Sequence, residues 1–466
     1  MWDIENENME MMELRYRRKM IFFVAVIYSV ITGITRLALY SGGECSFEKS
    51  TGSFTAADTI TGILAYADAT SAGTVPASTP VRTSVAVTPA VGDSVGETQP
   101  DIEPPAVNAM AAVIVEESTG RILYDKNALK RRSIASTTKI MTALVTLENA
   151  NVEDEVVISK RAASIGGSVV GLRTGDRYAL RELLYALLLV SANDAAIAIA
   201  EHVGGSVEGF AVMMNKRARS LGAVNSNFVT PHGLDRENQY STAYDVALIT
   251  IEALKHPLFR EIVSTVSSYI PGHNLNNTNE LLRSYPGADG VKTGYTGKAG
   301  RCLVTTARRN GMRLISVVLG SPSRNARAEA SRKLLDYGFE NYRMYKLMSK
   351  GEVYAKIPVY RGITEYVSLK ADKDIVLPLS RKEAEALKVR EHVPDVVNAP
   401  VYAGSVSGYV EFVLGSKVLA QNVLKASEDI RKTNYLDYLA GIFVAWGRII
   451  REGGPGMGTV LKNLTV

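Results

Sequence analysis

The sequence predicts a mixed α+β protein. A sheet packs against a helical cluster, and a small β-sandwich domain and a C-terminal amphipathic helix follow. Three observations carry this. Strand-like runs stand at both ends of a helical middle. After about Tyr345 the chain breaks into short β-branched runs separated by turns. The last long stretch repeats its large apolar residues at helical spacing. With 466 residues the chain has room for two or three domains.

Residues 1–36 hold a basic cluster, Arg15, Arg17, Arg18 and Lys19, followed by the uncharged run "MIFFVAVIYSVITGI" and Arg36. A basic flank before a short apolar core reads as an export signal. Cleavage and retention as an anchor are both open, because no small-residue cleavage site stands at a convincing distance. Residues 37–107 turn to Ala, Thr, Ser, Pro and Val, with no helical period from about Asp68. This composition predicts a disordered tether.

The globular part is expected over residues 108–345. "AMAAVIVEE", the turn "STG" and "RILYDKN" read as an opening hairpin. Helical runs follow in "KIMTALVTLENA", "ALRELLYALLLV", "NDAAIAIAEHVG" and "VEGFAVMMNKRARSLG". Strands return in "RCLVTTARR" and "RLISVVLGS", before the helix "NARAEASRKLLDYGFENY". Residues 346–425 read as a small β-rich domain and residues 426–466 as an amphipathic helix and tail. In that helix Tyr435, Leu439, Ile442, Phe443, Trp446, Ile449 and Ile450 share a face, with Arg431, Lys432, Arg448 and Arg451 toward its ends. Packing against a core and lying in a membrane surface are the two readings; the exported context favours the membrane. Asp437 and Arg448 argue against a full span.

Net charge is +5, too small and too dispersed for a nucleic-acid footprint. The two cysteines, Cys45 and Cys302, fall in very different segments, so no structural disulfide is expected. The five histidines are scattered and form no metal-ligand spacing, and no cofactor is expected.

Three short motifs carry possible chemistry. In "SIASTTKI", Ser136 precedes Lys139 by three positions, which puts both on one face if a helix starts there. A serine needs a base to become a nucleophile, and a lysine serves only when burial or a nearby cation lowers its pKa. A polar helix start with a stray lysine is the plainer reading, and a second S-x-x-K, Ser46 to Lys49, shows how cheap the pattern is. In "LLLVSANDAAIA", Ser191 and Asn193 are either a helix N-cap or a presented hydrogen-bonding pair. Ser323 and Asn325 repeat that spacing late in the chain. In "GADGVKTGYTGKAG", Lys292, Thr293 and Gly294 sit in a Gly-rich flank before a strand, which suggests an edge strand that a substrate can approach.

The ordered set S-T-T-K, S-A-N, K-T-G resembles the penicillin-recognising serine acyl-transferases. "FVTPHGLDRENQYSTAYDVALI", "HNLNNTNELL", "GVKTGYTGKAG" and "EASRKLLDYGF" extend the match. They look like segments of the low-molecular-weight serine-type D-alanyl-D-alanine carboxypeptidases, the penicillin-binding protein 5 type of peptidase family S11. The resemblance covers about residues 108–425, and the family uses a terminal amphipathic helix as a membrane anchor. It implies a β-lactamase/transpeptidase-like catalytic domain with an antiparallel sheet.

The resemblance also assigns roles. Ser136 would attack the carbonyl between the terminal D-alanines of a peptidoglycan stem peptide, with Lys139 as base. Ser191 would relay a proton to the leaving amine, held by Lys292, and Asn193 would bind the substrate amide. The backbone N–H groups of Ser136 and Tyr295 would form the oxyanion hole. Thr293 and Arg327 would bind the terminal carboxylate, although Arg327 also reads as a solvated helix-start arginine. β-Lactams would be covalent inhibitors. Small residues are usual in the middle of the S-A-N motif in this subfamily. A β-lactamase of class A type would need an E-x-x-L-N segment between Ser191 and Lys292, and none occurs. A transpeptidase of the same fold and a non-catalytic wall-binding or penicillin-sensing module are the remaining alternatives.

Overall fold

The computed structural model describes residues 81–82, 88–89 and 103–451. The run over residues 1–36, Cys45 and the first S-x-x-K at Ser46 lie outside the described residues.

Five strands form the central sheet: β1 (Ala111–Glu116), β2 (Ile122–Lys126), β3 (Ala288–Thr296), β4 (Gly300–Arg309) and β5 (Met312–Ser321). Their order is β2-β1-β5-β4-β3, and every neighbouring pair is antiparallel. The near-continuous apolar run of β1 follows from burial on both faces. Ala111, Val113 and Val115 join the core under the helical cluster, whereas Ala112 and Ile114 join a second core on the opposite face. The K-T-G motif lies on β3, at the edge of the sheet as its glycines suggested.

The helical cluster comprises α1 (Lys139–Asn149), α2 (Leu180–Leu189), α3 (Asn193–Gly204), α4 (Val207–Ser220), α5 (Ala243–Ala253) and α6 (Pro257–Ser264). Helix α2 is apolar nearly all round, which marks a core helix. Leu180, Leu183, Leu184, Leu187 and Leu189 are fully buried, each contributing about 1.5–3 kcal/mol by leaving water. Side-chain caps set the starts of the more polar helices. Ser206 accepts from Gly209 N at 2.9 Å ahead of α4, and Thr242 accepts from Asp245 N at 3.0 Å ahead of α5. The second face of the sheet is covered by α7 (Arg324–Asn341) through Ala328, Leu334, Leu335 and Phe339.

The β-rich part contains β6 (Tyr342–Met348), β7 (Val353–Tyr360), β8 (Tyr366–Ala371), β9 (Ile375–Ser380), β10 (Lys388–His392), β11 (Val397–Asn398), β12 (Val406–Leu414) and β13 (Lys417–Ala426). One sheet runs β7-β8-β13-β12-β10, with β11 parallel to β7; β6 and β9 pair in a second sheet. Leu347, Leu377 and Leu379 of the second sheet share one apolar core with Ile357, Leu369, Phe412 and Leu424 of the first. Two sheets around one core are what a sandwich requires.

Three expectations are corrected. The low-complexity segment is not wholly without structure: Val81–Arg82 pairs with Lys356 and Ala355 of β7, and Thr88–Pro89 pairs with Lys346 and Tyr345 of β6. A sheet edge recruits backbone groups, which any composition supplies. The terminal helix α8 starts at Tyr435 and runs to Arg451. Before it, Ile430 is buried and bridges Val401, and Lys432 bridges Gly362, so this stretch belongs to the β-rich part. Helix α1 begins at Lys139, not at Ser136. Ser136 lies in the preceding 3-10 turn, Ala135–Thr138, where positions three apart eclipse one another.

Candidate active site

Lys139 is fully buried, and its Nζ has three neighbours. Ser136 Oγ lies at 3.1 Å, Asn193 Oδ1 at 2.7 Å and the His232 carbonyl oxygen at 2.8 Å. Burial lowers its pKa well below the ordinary lysine value, and the nearby Lys292 adds to the fall while Asp194 opposes it. An amide oxygen and a peptide carbonyl only accept hydrogen bonds. A neutral amine therefore spends its two N–H groups on them, and its lone pair is left for the Ser136 hydroxyl.

The S-A-N segment fixes this amine. The cap of α3 is Ala192, without a side-chain bond, so Ser191 is not a helix cap. By contrast Ser323, the late decoy, caps α7 by accepting from Ala326 N at 3.1 Å. Ser191 holds φ at +67°, a sparsely populated region for a side-chain-bearing residue. Its Oγ is buried and makes no hydrogen bond among the described residues. Asn193 has its amide engaged at both ends, accepting from Lys139 and donating to Gly166 O at 2.8 Å. Its place is thus beside the Lys139 amine, with one amide hydrogen committed to the protein.

On β3, Gly294 lies against the 3-10 turn: a methyl group built on it would stand 3.0 Å from Ser136 N and 3.1 Å from Ala135 Cβ. This contact brings the strand to the nucleophile's backbone N–H. Lys292 is fully buried, and burial first, then Arg327, lower its pKa to about 7. Its amine donates to Thr293 O at 3.2 Å. The expected hydrogen bond from Lys292 to Ser191 is absent, since the amine turns back on its own strand. Thr293 Oγ1 lies 2.7 Å from Thr278 Oγ1. Tyr295 is exposed, with the Arg301 guanidinium 3.7 Å from its ring centroid. Arg327 is buried, not solvated, and pairs with Glu280 at 2.9 Å.

Several contributors escape motif reading. Asp194 accepts the N–H groups of Val170, Gly171 and Leu172 at 3.2, 2.9 and 3.1 Å, which fixes the loop that holds Asn193. His232 supplies the carbonyl for Lys139; burial and the Lys139 charge lower its imidazole pKa to about 3. Only resemblance pointed to "TPHGLD" and "NNTNELL", because backbone carbonyls and turn residues have no side-chain signature.

A serine hydrogen-bonded to a buried, pKa-lowered lysine beside a sheet-edge strand is the equipment of a serine acyl-enzyme hydrolase. The family model described as D-alanyl-D-alanine carboxypeptidase matches residues 98–323, and that of the penicillin-binding protein 5 C-terminal domain matches residues 342–432. The chain belongs to the D-alanyl-D-alanine carboxypeptidase family of penicillin-binding protein 5 type. It is 35% identical over 353 residues to the carboxypeptidase DacF of Bacillus subtilis, covering 73% of this chain and 90% of that protein. It is 32% identical over 365 residues to DacA of Escherichia coli, covering 73% and 89%. Penicillin-binding protein 5 of Haemophilus influenzae superposes with a TM-score of 0.64 at 33% identity, covering 71% of this chain and all of that one.

Proposed function

We propose that the protein removes the terminal D-alanine from peptidoglycan stem peptides through an acyl-enzyme on Ser136, outside the cytoplasm. The observation that carries this reading is the hydrogen-bond set of Lys139, whose two fixed acceptors direct the amine's lone pair at Ser136. Ser136 Oγ attacks the carbonyl between the two D-alanines and Lys139 takes its proton. Negative charge on the former carbonyl oxygen is met by the N–H groups of Ser136 and Tyr295. As the C–N bond breaks, Ser191 gives its proton to the departing amine and takes the one that Lys139 removed from Ser136, which returns the lysine to its free base. Asn193 contacts the substrate amide with its second amide hydrogen. Lys292 supplies positive charge, and Thr293 and Arg327 hold the terminal carboxylate. Water then hydrolyses the ester, with Lys139 as base. β-Lactams acylate the same serine.

Ser136→Ala is expected to abolish labelling by a fluorescent penicillin while the fold, followed by circular dichroism, is kept. Persistent labelling overturns the assignment of the nucleophile. Wild-type protein given a stem pentapeptide should yield a product lighter by one alanine; a cross-linked dimer would indicate a transpeptidase.

Localisation rests on the basic-apolar run of residues 1–36 and on α8. Among the described residues no helix is long and apolar enough to cross a membrane. Tyr435 and Phe443, on the apolar face of α8, are exposed, which suits an in-plane surface helix. If α8 is the anchor, deleting residues 435–466 from protein with a cleaved signal releases it from sedimented membranes. Unchanged sedimentation assigns the anchor to the N-terminus.

A further inference from the structure

Arg327 is held by a resident anion. Its Nε donates to Glu280 Oε1 at 3.2 Å and its Nη2 to Glu280 Oε2 at 2.9 Å; Nη1 donates to Cys302 O at 3.4 Å. The guanidinium is nearly sealed from solvent, at 5% side-chain exposure, whereas the Glu280 carboxylate keeps 34%. This is a bidentate pair along one edge of the fork. A guanidinium has five N–H donors, so the end formed by Nη1 and Nη2 keeps hydrogens for a second carboxylate.

Glu280 is itself fixed from the active-site strand. Asn279 donates to Gly290 O at 2.6 Å, and its Oδ1 accepts from Leu281 N at 3.1 Å, just past Glu280. Asn277 donates to Val263 O and Thr265 O. Thr278 reaches Thr293 Oγ1. Three consecutive residues, Thr278, Asn279 and Glu280, thus bind the K-T-G hydroxyl, β3 and the one arginine assigned to the carboxylate, and Asn277 ties them to the end of α6.

We infer that Glu280 is a positioning residue for recognition of the substrate's C-terminal carboxylate: it clamps one edge of the Arg327 guanidinium so that the remaining edge is presented beside Thr293. This rests on the reading of Arg327 as the carboxylate's partner. Without Glu280 the buried arginine loses its ion pair and keeps only the 3.4 Å contact to the Cys302 carbonyl, so its side chain is free to turn. The substrate then has to order the arginine as well as bind it. The effect falls on KM more than on kcat, because the clamp touches no reacting atom.

The test compares a peptide ending in D-Ala-D-Ala with the same peptide as its C-terminal amide, on wild type, Glu280→Gln, Glu280→Asp, Arg327→Ala and the double variant Glu280→Gln/Arg327→Ala. Wild type is expected to prefer the acid. Glu280→Gln should raise KM for the acid about tenfold with a far smaller change in kcat, and so erode the preference. Glu280→Asp should restore part of it, and Glu280→Gln should add nothing in the Arg327→Ala background. A Glu280→Gln variant that keeps the acid-to-amide ratio, even with a lowered melting temperature, overturns the positioning role. An Arg327→Ala variant that keeps the ratio overturns the reading of Arg327 beneath it, whatever Glu280→Gln does.

Discussion

In the proposed mechanism the Lys139 amine takes the nucleophile's proton, and its protonation has a definite sign. The free base accepts the Ser136 proton, so acylation rises with pH through the Lys139 pKa. Burial is the larger cause that lowers this pKa, and the Lys292 charge is the next. Replacing Lys292 by Gln removes that cation, the free base becomes harder to form, and the Lys139 pKa moves up. The rising limb of the rate of acylation by a fluorescent penicillin, followed over roughly pH 5 to 10, should therefore shift to higher pH in Lys292→Gln. The lower overall rate of this variant does not hide the shift, since the limb's position is independent of its height. A limb that stays in place or moves down shows that Lys292 does not act on the base.

At the scale of elements, the site is a seam between a turn and two neighbours. The 3-10 turn Ala135–Thr138 meets β3 through Gly294, while the loop carrying His232 packs on its other side. That loop is tied down by Thr142 Oγ1, which donates to Pro231 O at 2.6 Å, and by Gln239 Oε1, which accepts from Thr230 N at 2.7 Å. Gly233 holds φ at +86°, and a methyl group there would stand 2.0 Å from Ala135 O. Both strain and overlap oppose Gly233→Ala, at a cost of about 1–3 kcal/mol or more in stability. The loop and turn must part, which carries the His232 carbonyl away from Lys139. The expected outcome is a lowered denaturant midpoint together with slow penicillin acylation; labelling at the wild-type rate would contradict this packing. The same seam explains what the sequence disclosed. Ser136, Lys139 and Asn193 could be picked out as a set because their side-chain types and spacing carry a motif, and the structure joins them through one amine. Long apolar runs such as β1 and α2 were legible because burial writes itself into composition. The start of α1, the Val81–Arg82 pairing and the roles of His232 and Gly233 were not, because they depend on backbone groups meeting across distant segments. Glu280 carries no motif of its own, and its partner Arg327 lies 47 positions away.

At the scale of the whole molecule, the β-rich part is attached at the edge of the central sheet farthest from the chemistry. Arg121, between β1 and β2, donates to Pro378 O and to Glu383, and its guanidinium lies 5.9 Å from the Tyr342 ring centroid. Tyr342 OH donates to Leu123 O at 3.3 Å. Strand β2 is one end of the order β2-β1-β5-β4-β3 and the K-T-G strand is the other, so four strand spacings of about 4.8 Å separate them, roughly 19 Å. Among the described residues none of the β-rich part joins the hydrogen bonds around Lys139, as a stand-off role would require. Arg121 is 13% and Glu383 22% exposed in their side chains, so the pair is largely desolvated. Removing one member strands the other, at about 3 kcal/mol where the interface cannot readjust. Arg121→Ala is expected to lower the melting temperature, or to split one calorimetric transition into two, while the second-order rate of penicillin acylation stays at the wild-type value. Unchanged melting would show that the two parts are held by their apolar contacts alone. A fall in the acylation rate of the still-folded variant would show that the attachment edge communicates with the site, and the stand-off role would be wrong.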